Sequence, residues 1–272
     1  MTAVSAASGD GIFIVETQVN GNGTAAFYVF HLSSSGRPGA LRRLPVSVPG
    51  GETTDAIALS PDADKLAIAV ESEQEYGIEV YTLATGAVRI WMASRSTDTL
   101  LVGENTLSWT QDERTLSFPW GAGASAASSG ARLLNLDARG GNLLTASRPA
   151  HLGIGYGWVC SGTPVITPDG KTLACGAGSS AESVANDQVV AGAAEYDAAS
   201  GKLERVLGRH QSGPAGAILW WENTTGSVLI GAIQGPFDSC PMALPRTVGV
   251  FTGDRFVALP GMPEWFIGSF AW

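Results

Sequence analysis

The sequence predicts an all-β fold assembled from repeated four-stranded units, and three observations carry that reading. The stretch AIALSPDADKLAIAV, Ala56 to Val70, reads as a strand, a tight turn and a second strand. It returns at nearly the same register as TLSWTQDERTLSF from Thr106 and TPVITPDGKTLAC from Thr163. Hydrophobic residues elsewhere fall in short runs bounded by turn residues, with no sustained helical period. Composition agrees: 35 glycines, with 15% charged against 44% hydrophobic residues, describe a compact, turn-rich chain. A length of 272 residues suits one large all-β domain or two ordinary ones, and the internal repeat favours one.

Residues 1–9 are small and polar and are expected to form a flexible tail, leaving a single domain over residues 10–272. A first unit, residues 10–48, contains GIFIV, the turn signal NGNG, AAFYVFHL, the turn SSSGRPG and LRRLPVSV. The second, residues 54–92, holds the opening stretch, then GIEVYTL, the turn ATG and AVRIWMA. In the third, residues 104–147, TLSW, TLSF, ARLLNLD, the turn ARGG and NLLTA follow in the same order. PVIT, TLACGA, GAAEYD, AASG and KLERVL make the fourth, residues 162–207, and AILWW, SVLIGAI, TVGVFTG and RFVAL the fifth, residues 217–259. Four-stranded units repeating every forty to fifty residues or so are the mark of a β-propeller, each unit one blade.

The chain end completes the pattern. Phe270-Ala271-Trp272 matches Leu107-Ser108-Trp109 and Ile218-Leu219-Trp220, a first strand with no second strand after it. From Asp10 the opposite holds: a second strand stands without a first. Pairing residues 266–272 with the N-terminal strands gives a closed ring of five blades with no sheet-sized edge left open.

The units LSPDADKLAIA and ITPDGKTLACG, each followed by a strand and a Gly turn as in YTLATGAV and YDAASGKL, resemble those of WD-repeat-like and TolB-like β-propellers. Their Ala/Gly-rich style resembles actinobacterial members. The resemblance covers nearly the whole chain and implies the fold, not a task, since propellers host binding modules, scaffolds and enzymes. The Trp-Asp and Gly-His signatures of true WD repeats are missing, which argues against a eukaryotic-type scaffold.

Aligning the units separates packing residues from candidates. Ile12, Leu66, Leu116, Leu173 and Val228 share one second-strand position, and Ile14, Ile68, Phe118, Cys175 and Ile230 another; both sets read as packing between blades. Cys175 is thereby expected as a buried thiol. Leu59, Trp109, Ile166, Trp220 and Trp272 fall together at the end of the inner strand and read as core. Asp62, Asp112 and Asp169 repeat in one turn, where a carboxylate accepts backbone hydrogen bonds, and Asp197 does the same before Gly201.

The loops escape the repeat. Pro119 to Gly130, Ala177 to Gln188, Gln234 to Pro245 and Ala146 to Cys160 are expected on one face of the propeller. Their aromatic residues Trp120, Tyr156, Trp158 and Phe237, with Trp265, are candidates for binding a sugar or an apolar partner, or else anchors for glycine-rich loops. Asp55, Glu104 and Glu264 are candidate carboxylates at the same end. Cys160 and Cys240 could join two loops by a disulfide in an oxidising compartment. His151 stands without a second ligand residue and reads as structural.

Function is bounded more than fixed. A net charge of −9 with scattered Lys and Arg gives no footprint for nucleic acid or an anionic membrane. No stretch reaches the ~18 consecutive apolar residues of a membrane span. No phosphate-cradling loop, serine elbow or metal-ligand cluster is present, so no cofactor or metal is expected. Three readings result. A non-enzymatic binding or sensor module would take a protein partner or a small ligand such as a carbohydrate on its loop face, as a monomer. A glycoside hydrolase-like enzyme would need two carboxylates about 5 to 9.5 Å apart at the channel, drawn from Asp55, Glu104, Glu264 and Glu222. A structural ectodomain of a membrane-anchored regulator is the third. The expected location is extracytoplasmic or secreted, otherwise cytoplasmic.

Overall fold

The computed structural model describes residues 4–6, 11–19, 24–35, 37–48, 52–94, 99–100, 107–122, 129–150, 152, 158–160, 164–179, 189–212, 217–221, 229–234, 246–252 and 255–260. These form five sheets in chain order, antiparallel except where the short strand Gly141–Asn142 joins the second sheet beside Val88–Ser94. The first holds β1 (Val4–Ala6), β2 (Ile12–Val19), β3 (Thr24–His31) and β4 (Arg42–Ser47). The second holds β5 (Thr53–Leu59), β6 (Lys65–Glu71), β7 (Glu75–Thr82) and β8 (Val88–Ser94). The third is made of β9 (Thr99–Leu100), β10 (Ser108–Trp109), β11 (Thr115–Ala122), β12 (Ser129–Asn135) and, after β13 (Gly141–Asn142) and the helix α1 (Leu143–Ala146), β14 (Ser147–Ala150). The fourth contains β15 (Trp158–Cys160), β16 (Val165–Ile166), β17 (Thr172–Ser179), β18 (Val189–Asp197) and β19 (Leu203–Ser212). The fifth contains β20 (Ala217–Trp221), β21 (Leu229–Gln234), β22 (Arg246–Thr252) and β23 (Arg255–Ala258).

The opening stretch shows why the sheets stack face to face. Its period of two puts Ile57, Leu59, Leu66, Ile68 and Val70 on one face of the second sheet and Ala56, Ala58, Ala67 and Ala69 on the other. The bulky face packs on Ile14, Phe27, Leu44 and Val46 of the first sheet. The alanine face leaves room for Trp109 and Phe118 of the third, a large-against-small fit at that junction. Leu66, Ile68, Leu116, Phe118, Leu173 and Cys175 are all fully buried, as the aligned repeat requires. Trp109 is also fully buried, and its Nε1 donates to the Ala58 carbonyl at 3.1 Å, tying two neighbouring inner strands together.

The repeated turn is held by a hydroxyl more consistently than by its aspartate. Ser60, Thr110 and Thr167 each accept the backbone N–H five residues on, from Lys65, Thr115 and Thr172. Asp112 and Asp169 behave as expected, accepting from that hydroxyl and from the N–H of Arg114 and Lys171. In the first copy the Ser60 hydroxyl turns instead to Asp64, and the Asp62 side chain is not part of that turn bond. All three turns pass through a left-handed residue: Ala63 and Glu113 at φ 56, and Gly170 at φ 73. Glycine adopts this conformation freely, whereas Ala63 and Glu113 do so at a cost of about 1 kcal/mol or more. Asp197 accepts from Ser200 N before Gly201, as predicted.

Three boundary expectations change. Val4–Ala6, placed in a flexible tail by the sequence, is instead a strand paired with β2 through Val4 and Val15. It occupies the position beside β2 that the sequence reading gave to the C-terminal strand; residues 261–272 lie outside the described residues. NLLTA is not the outer strand of the third sheet. Asn142 caps a short helix there, its Oδ1 accepting from Leu144 N and Thr145 N, and the outer strand moves on to β14. The segment Ala146 to Cys160 is accordingly strand at both ends and not one continuous loop. Neighbouring sheets meet in order, β1 against β5, β10 and β11 against β16, and β17 against β20.

Candidate functional site

The ends of the sheets define two sides: a turn side, carrying the repeated Ser/Thr-Asp turns, and the opposite loop side. Asp55 lies toward the loop-side end of β5. The ladder between β5 and β6 slips between Thr54 and Ala56, so Asp55 sits in a β-bulge. A bulge re-aims a side chain that regular pleating would send elsewhere. Asp55 is half-buried, with Oδ2 enclosed.

Further carboxylates lie at the junction between the first and second sheets. Glu16 of β2 and Glu79 of β7 are 5% and 4% exposed. Burial pushes the Glu16 carboxyl above its ordinary range, and the neighbouring Thr54 hydroxyl offsets only part of that. Glu52, just before β5, is also raised, by burial first and then by the charges of Glu79 and Glu75. Its Oε2 is enclosed and has no hydrogen-bond partner among the described residues. Tyr81 bridges the junction: its hydroxyl lies 2.6 Å from Glu79 Oε2 and 3.1 Å from the Ser47 carbonyl. Burial and Glu79 push the Tyr81 phenol up. Sequence reasoning found Asp55 but missed Glu16, Glu52 and Glu79. The one signal for them was polar residues at strand positions where apolar ones alternate.

The next junction is built differently. Glu113, in its left-handed turn, accepts the Asp62 N–H at 2.9 Å on Oε1 and an ion pair from Lys65 Nζ on Oε2. Arg89 donates to the Leu136 carbonyl and lies over the Trp91 ring, whose Nε1 donates to the Arg139 carbonyl. A turn-side cleft of about 350 Å³ results, in which Lys65, Arg89 and Arg114 stand among Asp62, Asp112, Glu113 and Asp137.

Of the aromatic candidates, Trp120 lies in β11 instead of a loop. It packs on the core between the second and third sheets, edge-on to Phe118, with the Arg132 guanidinium 5.8 Å from its ring. It therefore reads as an anchor. Trp158 and Cys160 belong to β15 by their backbone. Tyr156, Phe237, Trp265, Glu104, Glu264, Glu222, Cys240 and His151 lie outside the described residues. Asp55 and Trp120 are thus the two candidates with described side chains, and they lie on different sheets.

Cys175 is not a thiol but half of a disulfide. Three cysteines are present, so a bond from Cys175 to Cys160 or to Cys240 excludes one between those two. The loop-joining pair expected from the sequence gives way to a bond anchored at a fully buried packing position of β17. No group of His, Cys, Asp and Glu able to hold a metal ion occurs among the described residues.

No family model and no curated protein matches the sequence. Solved structures do. A putative TolB from Agrobacterium tumefaciens superposes with a TM-score of 0.57 at 13% identity, over 94% of this chain and 79% of that one. The β-propeller domain of the Trilobed protease from Pyrococcus furiosus gives 0.43 at 9% identity, over 76% and 57%. A prolyl endopeptidase gives 0.44 at 16% identity, over 96% of this chain and 43% of that one, so the chain spans less than half of that enzyme. What is shared is the β-propeller fold. At such identities the TolB-like likeness reaches no further than the fold, and neither comparison that failed to match supports an actinobacterial type.

Proposed function

We propose that the protein is a non-enzymatic binding or sensor module, a monomeric five-bladed propeller closed into a ring, which takes a protein partner or a small ligand such as a carbohydrate on its loop side. The observation that supports it is the bulge at Asp55, which sets a half-buried carboxylate at the loop-side end of an inner strand beside Glu52 and Thr54. Carboxylates so held are suited to accept hydrogen bonds from hydroxyl or amide groups of a ligand. A glycan-array and thermal-shift screen on the wild type and Asp55→Asn tests this. A ligand near 100 times its Kd stabilises by about 2.7 kcal/mol, and that shift should be lost in the variant. No shift with any glycan or peptide, or hydrolysis of a glycoside, would overturn it.

The Cys175 disulfide supports an extracytoplasmic location, since such bonds persist where the surroundings are oxidising. Reductant should lower stability by about 2–5 kcal/mol in a denaturant titration, and Cys175→Ala should remove that sensitivity. Among the described residues no helix is long and apolar enough to cross a membrane.

A further inference from the structure

The turn-side junctions repeat in geometry but not in chemistry. Between the second and third sheets, Lys65 at the start of one second strand meets Glu113 from the left-handed position of the next turn. One repeat on, the equivalent residues are Thr115 and Gly170. Both junctions keep a turn-side cleft of similar size, about 350 and 360 Å³, but the ion pair and further carboxylates line the first and are missing from the lining of the second. Such volumes fall within the range of small-molecule sites.

The lining of this second cleft is one-sided. Thr115, Asn135, Thr145, Ser147 and Arg148 supply its polar groups, with Leu133, Ala146, Ile166 and Gly170 completing the wall, and no Asp or Glu among them. Much of the wall is already fixed. Ser147 Oγ donates to the Leu143 carbonyl and accepts from Arg132 Nε, and Thr145 Oγ1 donates to the Asn142 carbonyl. Asn135 Oδ1 accepts from Asp137 N, which leaves its amide N–H groups to donate. The Thr115 main chain is bound on both sides by Thr110, while its side-chain hydroxyl makes no bond to the described residues.

Charge points the same way. Arg148 spends one N–H on the Ala198 carbonyl at 3.1 Å and forms no ion pair with the described residues. Behind the wall, Arg132 is held by the Leu144 and Ser147 carbonyls, again without a carboxylate, and burial alone lowers its pKa. Two guanidinium groups, Arg148 on β14 and Arg132 on the adjoining β12, therefore have no carboxylate partner among the described residues in a chain whose net charge is −9. Donors held by other bonds and turned on one space are preorganised for an acceptor.

We propose that the turn-side cleft between the third and fourth sheets binds a small molecule bearing an oxyanion, a sugar carboxylate or a phosphate, with Arg148 as its charge partner and Thr115 and Asn135 as hydrogen-bond donors. This site is separate from the loop-side site around Asp55. Isothermal titration of the full chain with glucuronate, inorganic phosphate and glucose tests it. Glucuronate, phosphate or both should bind at millimolar concentration or below, more weakly as salt rises, and glucose should not. Glucuronate alone identifies a sugar acid, phosphate alone a phosphate ligand. Arg148→Gln, at an exposed residue, should weaken binding by about tenfold or more with an unchanged urea midpoint. Thr115→Lys with Gly170→Glu, which brings the ion pair of the neighbouring junction and its carboxylate into this cleft, should abolish it. No binding of either anion, binding of glucose as tight as glucuronate, or full affinity in Arg148→Gln would overturn the proposal. Because Asp55→Asn lies at the other end of the sheets, it should leave anion binding unchanged even if the loop-side reading fails.

Discussion

At the junction of the first and second sheets, Glu16 and Glu79 are buried with only hydroxyl partners, and no cation among the described residues pairs with them. At the next junction Glu113 is also enclosed, but Lys65 and a backbone N–H reach it from the preceding turn. Both junctions are apolar sandwiches of similar build, so the difference lies in how charge is met. The second neutralises a carboxylate with a partner; the first raises the pKa of the buried Glu16 carboxyl instead. One junction should therefore respond to the loss of a partner and the other to pH.

The largest expected effect is common to both. Phe27→Ala in the first junction and Trp109→Ala in the second should each cost about 3–5 kcal/mol in urea denaturation, because each empties a fully buried site. Closely matching losses would show that packing is shared and charge alone differs. Next, Glu113→Gln should destabilise by about 1–2 kcal/mol, less than a fully buried pair would, since Lys65 keeps 25% of its side chain exposed. Glu113→Gly removes the same pair but relieves the left-handed backbone. It should lose less than the Gln variant, by up to about 1 kcal/mol. A larger loss would mean that the turn bears no strain.

The pH response separates the junctions further. Glu16 and Glu52 have folded pKa values raised above 4.5, so the folded state holds more protons than the unfolded chain across that interval. Their contribution is fully present below 4.5 and is lost as pH rises through the folded values. The thermal midpoint of the wild type should thus rise on moving from pH 7.5 toward 5. Glu16→Gln should flatten that rise and be the more stable protein at pH 7.5; an unchanged slope would show that Glu16 does not titrate there. Asp112 and Asp169 have the opposite sign. Hydrogen bonds from Thr110 and Thr167 first, then from the Arg114 and Lys171 backbone, lower them below 3.8. Their contribution is present above that value and disappears as pH falls through the folded values, which gives an acid limb below the maximum. Asp169→Ala, the smallest change, should cost about 0.5 kcal/mol and shorten that limb.

What the sequence made legible was whatever repeats. The strand-turn-strand units, the inward positions of Leu66, Leu116 and Leu173, and the burial of Trp109 all follow from alternation read at one register. Asp55 was found because it stands just ahead of an inner strand. Glu16 was hidden because its partner Thr54 sits on a different sheet, and Glu79 because its burial depends on the neighbouring sheet; the one local mark was a polar residue in an apolar strand. β1 was missed because VSA is too short and too small to show a period, and α1 because a capping Asn142 outweighed the strand-like look of NLLTA. Cys175 fell at a packing position, where burial explains a thiol and a disulfide equally well.

The short strand β13 has a consequence for modularity. It leaves the third unit to pair in parallel with β8 of the second, Gly141 opposite Trp91 and Asn142 opposite Met92. Residue 140 must be glycine there, since a Cβ would stand 2.7 Å from the Ile90 carbonyl oxygen. The third unit thus lends a strand to the sheet of the second, although their sequences read as separate copies. A chain shortened or lengthened by whole repeats could not be cut between them without baring an edge strand, so this pair, and not the single blade, is the smallest piece that could be moved between proteins.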